Sequence, residues 1–476
     1  MVIKKQSHKT IKKTSKVTPA RIKKRIIKRK KRINPEQIPR TAHNITSMLN
    51  RHGATCYIVG GFPRDTIRGI SAKDIDIEVH GLDIDTIAQI LSKHFSVNYV
   101  GKSFGVLKVK EPGSTEEIDV SVPRADSVGR KPDVTFFKNA TPKDAASRRD
   151  FTINALMWDT KTNTMVDPYG GMQDLKSGTI RSISQKSFTD DPLRVVRAAQ
   201  FASRFGYSIE PETVTMAKQS TLHGLSMERI REEMLKALLK SKAPSRFFNS
   251  LDGMGQLSAV FPEIAILKSI PQDEYHHPEG NVYTHTMMVL DRVPNDPILR
   301  LTALLHDTGK AVTTSNSNGR IKSIGHERQS TIIAERFLRK FKFDNATIKM
   351  VLPLVDNHMI PGFLINSGTK ITLAKKNALI ARVAGGYSKI MRDPREALEK
   401  YKYLISFAIA DHGADYYSDK FLTLPPIQHY VSHIDARALS EKYQGKALGD
   451  AIVERYTNQI NTPPKQMRKM RKLTKR

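Results

Sequence analysis

The chain has 476 residues, 39% apolar and 7% aromatic, which is enough for several cores and excludes a disordered or fibrous polymer. Its formal net charge of +31 is uneven, with 15 Lys/Arg and no acid in residues 1–35 and 7 more without an acid after Pro464, leaving residues 36–463 at +9. One cysteine, Cys56, excludes an intramolecular disulfide framework and thiolate zinc clusters, and the absence of an apolar run near ~18 residues argues against a membrane span.

The acid-free ends predict disordered extensions, because like charges repel and little apolar surface offsets the ordering entropy. Such segments suit nucleic-acid phosphates, where binding releases counterions. A reducing, cytoplasmic location is the expectation from the cysteine count and the lack of a visible hydrophobic signal segment.

In chain order, residues 36–52 carry Ile45, Met48 and Leu49 at helical spacing. TCYIVGG reads as a buried strand entering a glycine turn, and DTIRGI as the start of a helix. DIDIEVHGL alternates with period two and reads as a strand carrying both Asp74 and Asp76. A helix follows around IDTIAQILSKHF, then strands in VGKSFGVLKVK and EEIDVSVPR. The expected unit is a small mixed α/β domain. Beyond RRDFTINALMWD and DPYGGMQDL the pattern turns helical, with VVRAAQFASRF and RIREEMLKALLK as amphipathic runs. Residues 313–323 read as a polar loop, and from about Tyr275 the helical chain is rich in histidine.

Alternate residues of a strand share a face, so Asp74 and Asp76 place two carboxylates a few ångströms apart. They repel unless a cation sits between them, and hard oxygen donors suit Mg²⁺. D-x-D alone is too common to decide between that and a solvated acidic strand. The Gly60-Gly61 pair strengthens the first reading, because glycines let the backbone approach a phosphate before a helix. Arg64 can reach a triphosphate, Asp65 can brace it, and Asp119 on a neighbouring strand can add a third carboxylate and a general base.

G-G-x-x-R-D followed by D-x-D resembles the nucleotidyltransferase head of class II tRNA CCA-adding enzymes and bacterial poly(A) polymerases. RRDFTINA (Arg148 to Ala155), DPYGGMQDL (Asp167 to Leu175), DDPLRVVRAAQFASRFG (Asp190 to Gly206) and MERIREEMLKAL (Met227 to Leu238) agree with the family in order and spacing. The resemblance covers about residues 36–265. It implies an α+β chain whose mixed-sheet, polymerase beta-like head is followed by a helical body. It further implies Mg²⁺ on Asp74 and Asp76, nucleotide phosphate or ribose contacts from Gly61, Arg64 and Arg149, base-edge hydrogen bonds from Asp191 and Arg194, and help at the phosphates from Arg197. The bland alternative for Arg194 and Arg197 is an exposed basic helix face. Asp190 stands where the family usually has Glu, which keeps the charge and shortens the reach.

LTALLHDTGK puts His306 and Asp307 at the end of an apolar helix, with a glycine just beyond. With His285, His326, His358 and Asp411 these residues follow the pattern H…HD…H…H…D, which resembles the HD metal-dependent phosphohydrolases. Imidazole with carboxylate suits a divalent transition metal, unidentified here, better than Mg²⁺.

The expected organisation is a basic extension over 1–35, the head over 36–180, a helical nucleotide-selecting and RNA-binding region over 181–265, the HD domain over 266–425, and a helical end with a basic tail over 426–476. The expected activity is CCA addition to tRNA from CTP and ATP, with HD-domain phosphohydrolysis beside it. The alternatives are poly(A) polymerase, an A-adding or CC-adding enzyme, or a protein that is chiefly an HD phosphohydrolase.

Overall fold

The computed structural model describes residues 37–72, 74–100, 105–125, 135–136, 139–275, 277–367, 394–412 and 442. The basic ends, and the helical end expected over 426–476 apart from Lys442, lie outside the described residues. The chain divides into two compact units, residues 1–175 and 176–476.

In the first unit, among the described residues, seven strands form one mixed sheet in the order β3-β4-β5-β2-β1-β6-β7. They are β1 (Thr55–Val59), β2 (Asp76–His80), β3 (Ser96–Tyr99), β4 (Val106–Lys110), β5 (Glu117–Ser121), β6 (Met157–Asp159) and β7 (Thr164–Val166). Only the β2–β5 pair is parallel. One face is the core: Ile58, Ile77, Val79, Leu107, Val109, Ile118 and Val120 are buried there with Ala42, Ile45 and Leu49 of the helix Arg40–Arg51 and Ile87 and Leu91 of the helix Ile84–Leu91. The other face carries Val59, Asp76, Glu78, Val106, Asp119 and Ser121, because strand alternation puts every second residue there.

Three expectations need correction. Asp74 is not on the strand, which begins at Asp76. Asp76 is paired on both sides, to Val59 and to Asp119, and β1 turns away at Gly60, so earlier residues have no ladder partner. The helix after the glycines runs Gly61–Ile67 and stops before DTIRGI is complete, with the left-handed Gly69 just beyond it. Strands β3, β6 and β7, which the sequence pattern does not mark, extend the sheet; they are short and alternate weakly, so only pairing reveals them.

The second unit is mostly helical. Its aromatic residues Phe247, Phe248, Phe261, Phe337 and Phe341 stack, tilt or meet edge to face, with centroid distances of 4.6 to 6.1 Å, so the helices before residue 265 and the histidine-rich region share a core. The stretch read as a polar loop is a β-hairpin, Thr314–Ser317 with Arg320–Ser323. Asn318 and Gly319 have φ of 54° and 75°, the conformation of a two-residue type I′ turn that Asn-Gly favours. Polar strands without an apolar face hide such a hairpin from a pattern search.

Candidate active sites

The polar face of the first unit borders a cavity of about 300 Å³ lined by Asp76, Glu78, Asp119, Ser121, Arg148 and Arg149 among others. Asp76 and Asp119 are direct partners in the parallel register, so their carboxylates lie side by side. Burial first, and then Asp119 and Asp74, push the Asp76 carboxyl up, while Arg149 pulls it down. Three carboxylates crowded at the end of a sheet fit a hard divalent cation.

Gly60 has φ +74°, and a Cβ there would lie 2.7 Å from Asp76 Oδ2. Glycine is therefore required twice, by backbone conformation and by the approach of the carboxylate. Gly61 opens the short helix after it. Arg64 is only 5% exposed. Asp65 grips it bidentately at 2.9 and 2.6 Å, and it donates to Asn154 Oδ1 at 2.6 Å. Arg149 donates to Glu78 Oε2 at 3.3 Å and to the Asn154 carbonyl at 3.4 Å. The other Glu78 oxygen lies 3.0 Å from His80 Nε2. Burial raises the Glu78 carboxyl, but the contacts with His80 and Arg149 outweigh it and hold it below its usual range. The sequence reading missed Glu78, His80 and Arg148. The signal was there, since Glu78 and His80 continue the alternation that begins at Asp74.

In the second unit, Asp191 precedes the helix Leu193–Phe205, and Arg194 and Arg197 share one of its faces at i, i+3. Asp191 Oδ1 accepts from the Leu193 amide at 3.2 Å and Oδ2 from Arg229 at 2.7 Å. Arg194 donates to the Ser187 carbonyl and hydroxyl at 3.1 and 3.0 Å. Arg197 donates to the buried Glu233 at 3.2 Å and lies over the Phe201 ring. Asp190 is exposed. Arg229 was not singled out in the sequence, because a charge inside MERIREEM is indistinguishable from a solvated helix face.

All six histidine and aspartate residues of the HD pattern converge in the same unit. His285 comes from the helix Val282–Arg292, and His306 and Asp307 end the helix Pro297–Leu305. His326 begins the helix His326–Lys340, His358 ends Asn345–Asn357, and Asp411 lies in Pro394–His412. Asp307 Oδ2 is 3.3 Å from His306 Nε2, and its Oδ1 is 3.3 Å from His326 Nε2. His285 Nε2 is 2.9 Å from Asp411 Oδ1. Two donor groups thus form around a shared Asp307: His285, His306, Asp307 and Asp411 on one side, Asp307, His326 and His358 on the other.

The imidazoles are oriented for ligation. Nδ1 of His306, His326 and His358 bonds the carbonyls of Ala303, Ser323 and Val355 at 2.9, 2.7 and 2.7 Å. A carbonyl accepts only, so each Nδ1 carries a proton and each Nε2 is turned inward. Glu279 likewise accepts from His285 Nδ1 at 2.7 Å. Burial pulls this imidazole down, but Asp411 on Nε2 and Glu279 outweigh it and raise it to about 9, so both ring nitrogens carry protons until a metal displaces the one on Nε2. His277, unassigned from sequence, bonds Glu279 at 3.0 Å. Lys310 contacts Asp307 at 2.7 Å and, with the histidines, outweighs burial to hold its carboxyl well below the ordinary range. A Cβ at Gly309 would lie 2.2 Å from the His326 carbonyl, so the glycine after His-Asp lets two site elements touch. Nitrogen and carboxylate donors in this number fit a pair of divalent transition metals.

Three family models match the chain: "Poly A polymerase head domain" at residues 56–181, "Probable RNA and SrmB- binding site of polymerase A" at 206–267, and "HD domain" at 275–411. The chain is 34% identical over 311 residues to the Multifunctional CCA protein of Nitrosospira multiformis, covering 63% of this chain and 72% of that protein. It is 32% identical over 334 residues to the Multifunctional CCA protein of Shewanella denitrificans, covering 67% and 78%. The fold is similar to that of the Bacillus stearothermophilus CCA-adding enzyme in complex with CTP, with TM-score 0.58, 22% identity and 88% and 92% coverage of the two chains. It is also similar to the Thermotoga maritima CCA-adding enzyme complexed with tRNA, with TM-score 0.59, 19% identity and 94% and 96% coverage.

Fold and site together define a nucleotidyltransferase head joined to a helical region that includes an HD domain. The chain belongs to the family of multifunctional CCA proteins.

Proposed function

We infer that this chain is a template-independent nucleotidyltransferase that adds CCA to the 3′ end of tRNA, using CTP and ATP and releasing pyrophosphate. The observation that carries this reading is the carboxylate pair Asp76–Asp119 bordering a cavity that Arg148 and Arg149 also line, in a chain of this family.

Asp74 and Asp76 are the groups that would hold Mg²⁺, with Asp119 beside them as the general base toward the attacking 3′ hydroxyl. When bound, the ion would neutralise charge at the α-phosphate and acidify that hydroxyl. Arg149, with Gly61 and Arg64 at the glycine turn, is assigned to the nucleotide's phosphates or ribose; the buried Arg64 does so chiefly by shaping the turn. Asp191 and Arg194 are the base-reading groups, since a carboxylate and a guanidinium offer acceptor and donors together. Arg197 is assigned to the phosphates. The basic ends are taken as non-specific RNA contacts, and the division at about residues 35, 180, 265 and 425 accompanies this reading.

The six HD ligands support a second, metal-dependent phosphohydrolase activity in the same polypeptide. Metal dependence follows from the two domain types; the assignments of Mg²⁺ to the head and of Mn²⁺, Ni²⁺, Fe or Zn²⁺ to the HD centre rest on donor chemistry. No helix among the described residues is long and apolar enough to cross a membrane.

Transcripts of tRNA ending before C, after CC and after CCA, incubated with CTP, ATP or both, test the reading. Products that stop at CCA support it. Long A tails on any RNA would replace it with poly(A) polymerase, the reading that the name of the head's family model favours.

A further inference from the structure

The carboxylate face of the first unit holds one more acid than cation binding asks for. Asp76 and Glu78 are two residues apart on β2 and point to the same side of the sheet, roughly 7 Å apart along the strand. Arg149 is the cation between the two roles. It already lowers the Asp76 carboxyl electrostatically, yet the carboxylate it bonds is that of Glu78, at 3.3 Å.

We propose that Glu78 is a positioning residue that parks Arg149 beside the Asp76–Asp119 pair and so keeps that pair open to its divalent cation. Lys108 already lies 3.5 Å from Asp119 Oδ1, and without the Glu78 hold a second cation, the Arg149 guanidinium, would settle on the pair and compete with the metal. Glu78 is itself fixed. It is buried, one oxygen faces His80 Nε2 at 3.0 Å, and His80 Nδ1 lies 3.0 Å from the Ala140 carbonyl. The second Arg149 contact, to the Asn154 carbonyl, belongs to a residue that Asp150 and Arg64 hold at 2.8 and 2.6 Å. Arg149 is thus suspended between two immobile acceptors and presented at the cavity, where a triphosphate rather than a carboxylate would meet it.

This inference rests on the nucleotidyltransferase reading, and its test is separable from that reading. The readout is Mn²⁺ affinity without nucleotide, followed by the electron paramagnetic resonance of the free ion. It is measured on full-length protein in which His306 and His358 are alanine, so that the head site dominates. Glu78→Asp keeps the charge but withdraws the carboxylate from Arg149, and it is expected to weaken Mn²⁺ binding at least threefold. Glu78→Gln should weaken it further, and adding Arg149→Ala to Glu78→Asp should restore the parental affinity. In the otherwise unmodified enzyme, Glu78→Asp should raise the Mg²⁺ concentration for half-maximal incorporation by a similar factor. If Glu78→Asp binds Mn²⁺ as the parent does, or Arg149→Ala fails to restore the affinity, the proposal is overturned. Absence of nucleotide incorporation by the unmodified protein would instead overturn the parent reading.

Discussion

The Nε2 atoms of His326 and His358 face one another at 3.1 Å. Burial and then the neighbouring His306 push the His358 imidazole down to about 3, so it is neutral at physiological pH. His326 and His358 each bond a backbone carbonyl through Nδ1; burial lowers the His326 imidazole but Asp307 outweighs it and raises it, so the facing Nε2 atoms suit either a proton on His326 or a metal ion.

Metal removal follows directly. Chelation should abolish phosphoester hydrolysis, and re-addition of transition metals one at a time should identify the ion that restores it. His306→Ala should lose hydrolysis and keep CCA addition, while Asp74→Ala should do the converse. Parallel phosphatase and incorporation assays check both. Loss of both activities in either variant would contradict two separate centres.

Glu279 sets the proton of His285 without lying among the six predicted ligands. Glu279→Gln should weaken metal binding at the HD centre by about 10–100-fold, the usual cost of removing such an orienting partner. Metal titration read by restored hydrolysis measures it.

Gly60→Ala should reduce nucleotide incorporation by at least about tenfold, because strain of ~1–3 kcal/mol is added to a collision with Asp76. HD hydrolysis should be unchanged. Single-nucleotide addition assays on tRNA ending in CC report the effect.

Arg229 holds Asp191 at 2.7 Å. Arg229→Ala should leave that carboxylate free to rotate and relax the discrimination between correct and incorrect nucleotides by about tenfold, or ~1.4 kcal/mol in relative kcat/KM. Competition among CTP, ATP, GTP and UTP at each step measures it. An unchanged ratio would remove Arg229 from selection.

Cys56 is fully buried, and burial first, then Asp159, pushes its thiol up to about 12. The thiol should resist alkylation in the native protein at neutral pH and react once the first unit unfolds. The sign for stability follows from a raised folded value. The contribution is complete below about pH 9 and is lost as pH rises toward 12. Alkaline melting of the native protein and a Cys56→Ala variant should therefore converge.

The local patterns were legible where periodicity was strong. DIDIEVHGL alternates, and its core-facing Ile77 and Val79 are buried as that alternation requires. The six candidate HD ligands could be picked out because their order, H…HD…H…H…D, resembles that of the HD phosphohydrolases; four of them sit at helix ends or starts. Strands β3, β6 and β7 were not legible, since strands of three or four residues carry too little pattern. Nor was the Asn-Gly hairpin, whose strands bury no apolar face.

Residue types and their spacing by themselves determined the candidate chemistry: carboxylates for a hard cation, histidines with aspartates for a transition metal, and a basic helix after the head. Tertiary structure alone decided which groups meet. Asp76 and Asp119 are over forty residues apart, and only parallel register sets them side by side. Arg64 proved buried against Asp65, Arg149 was drawn to Glu78, and Asp191 was drawn to Arg229. Ion pairing depends on distance through space and on exclusion of water, and a linear order of residues specifies neither.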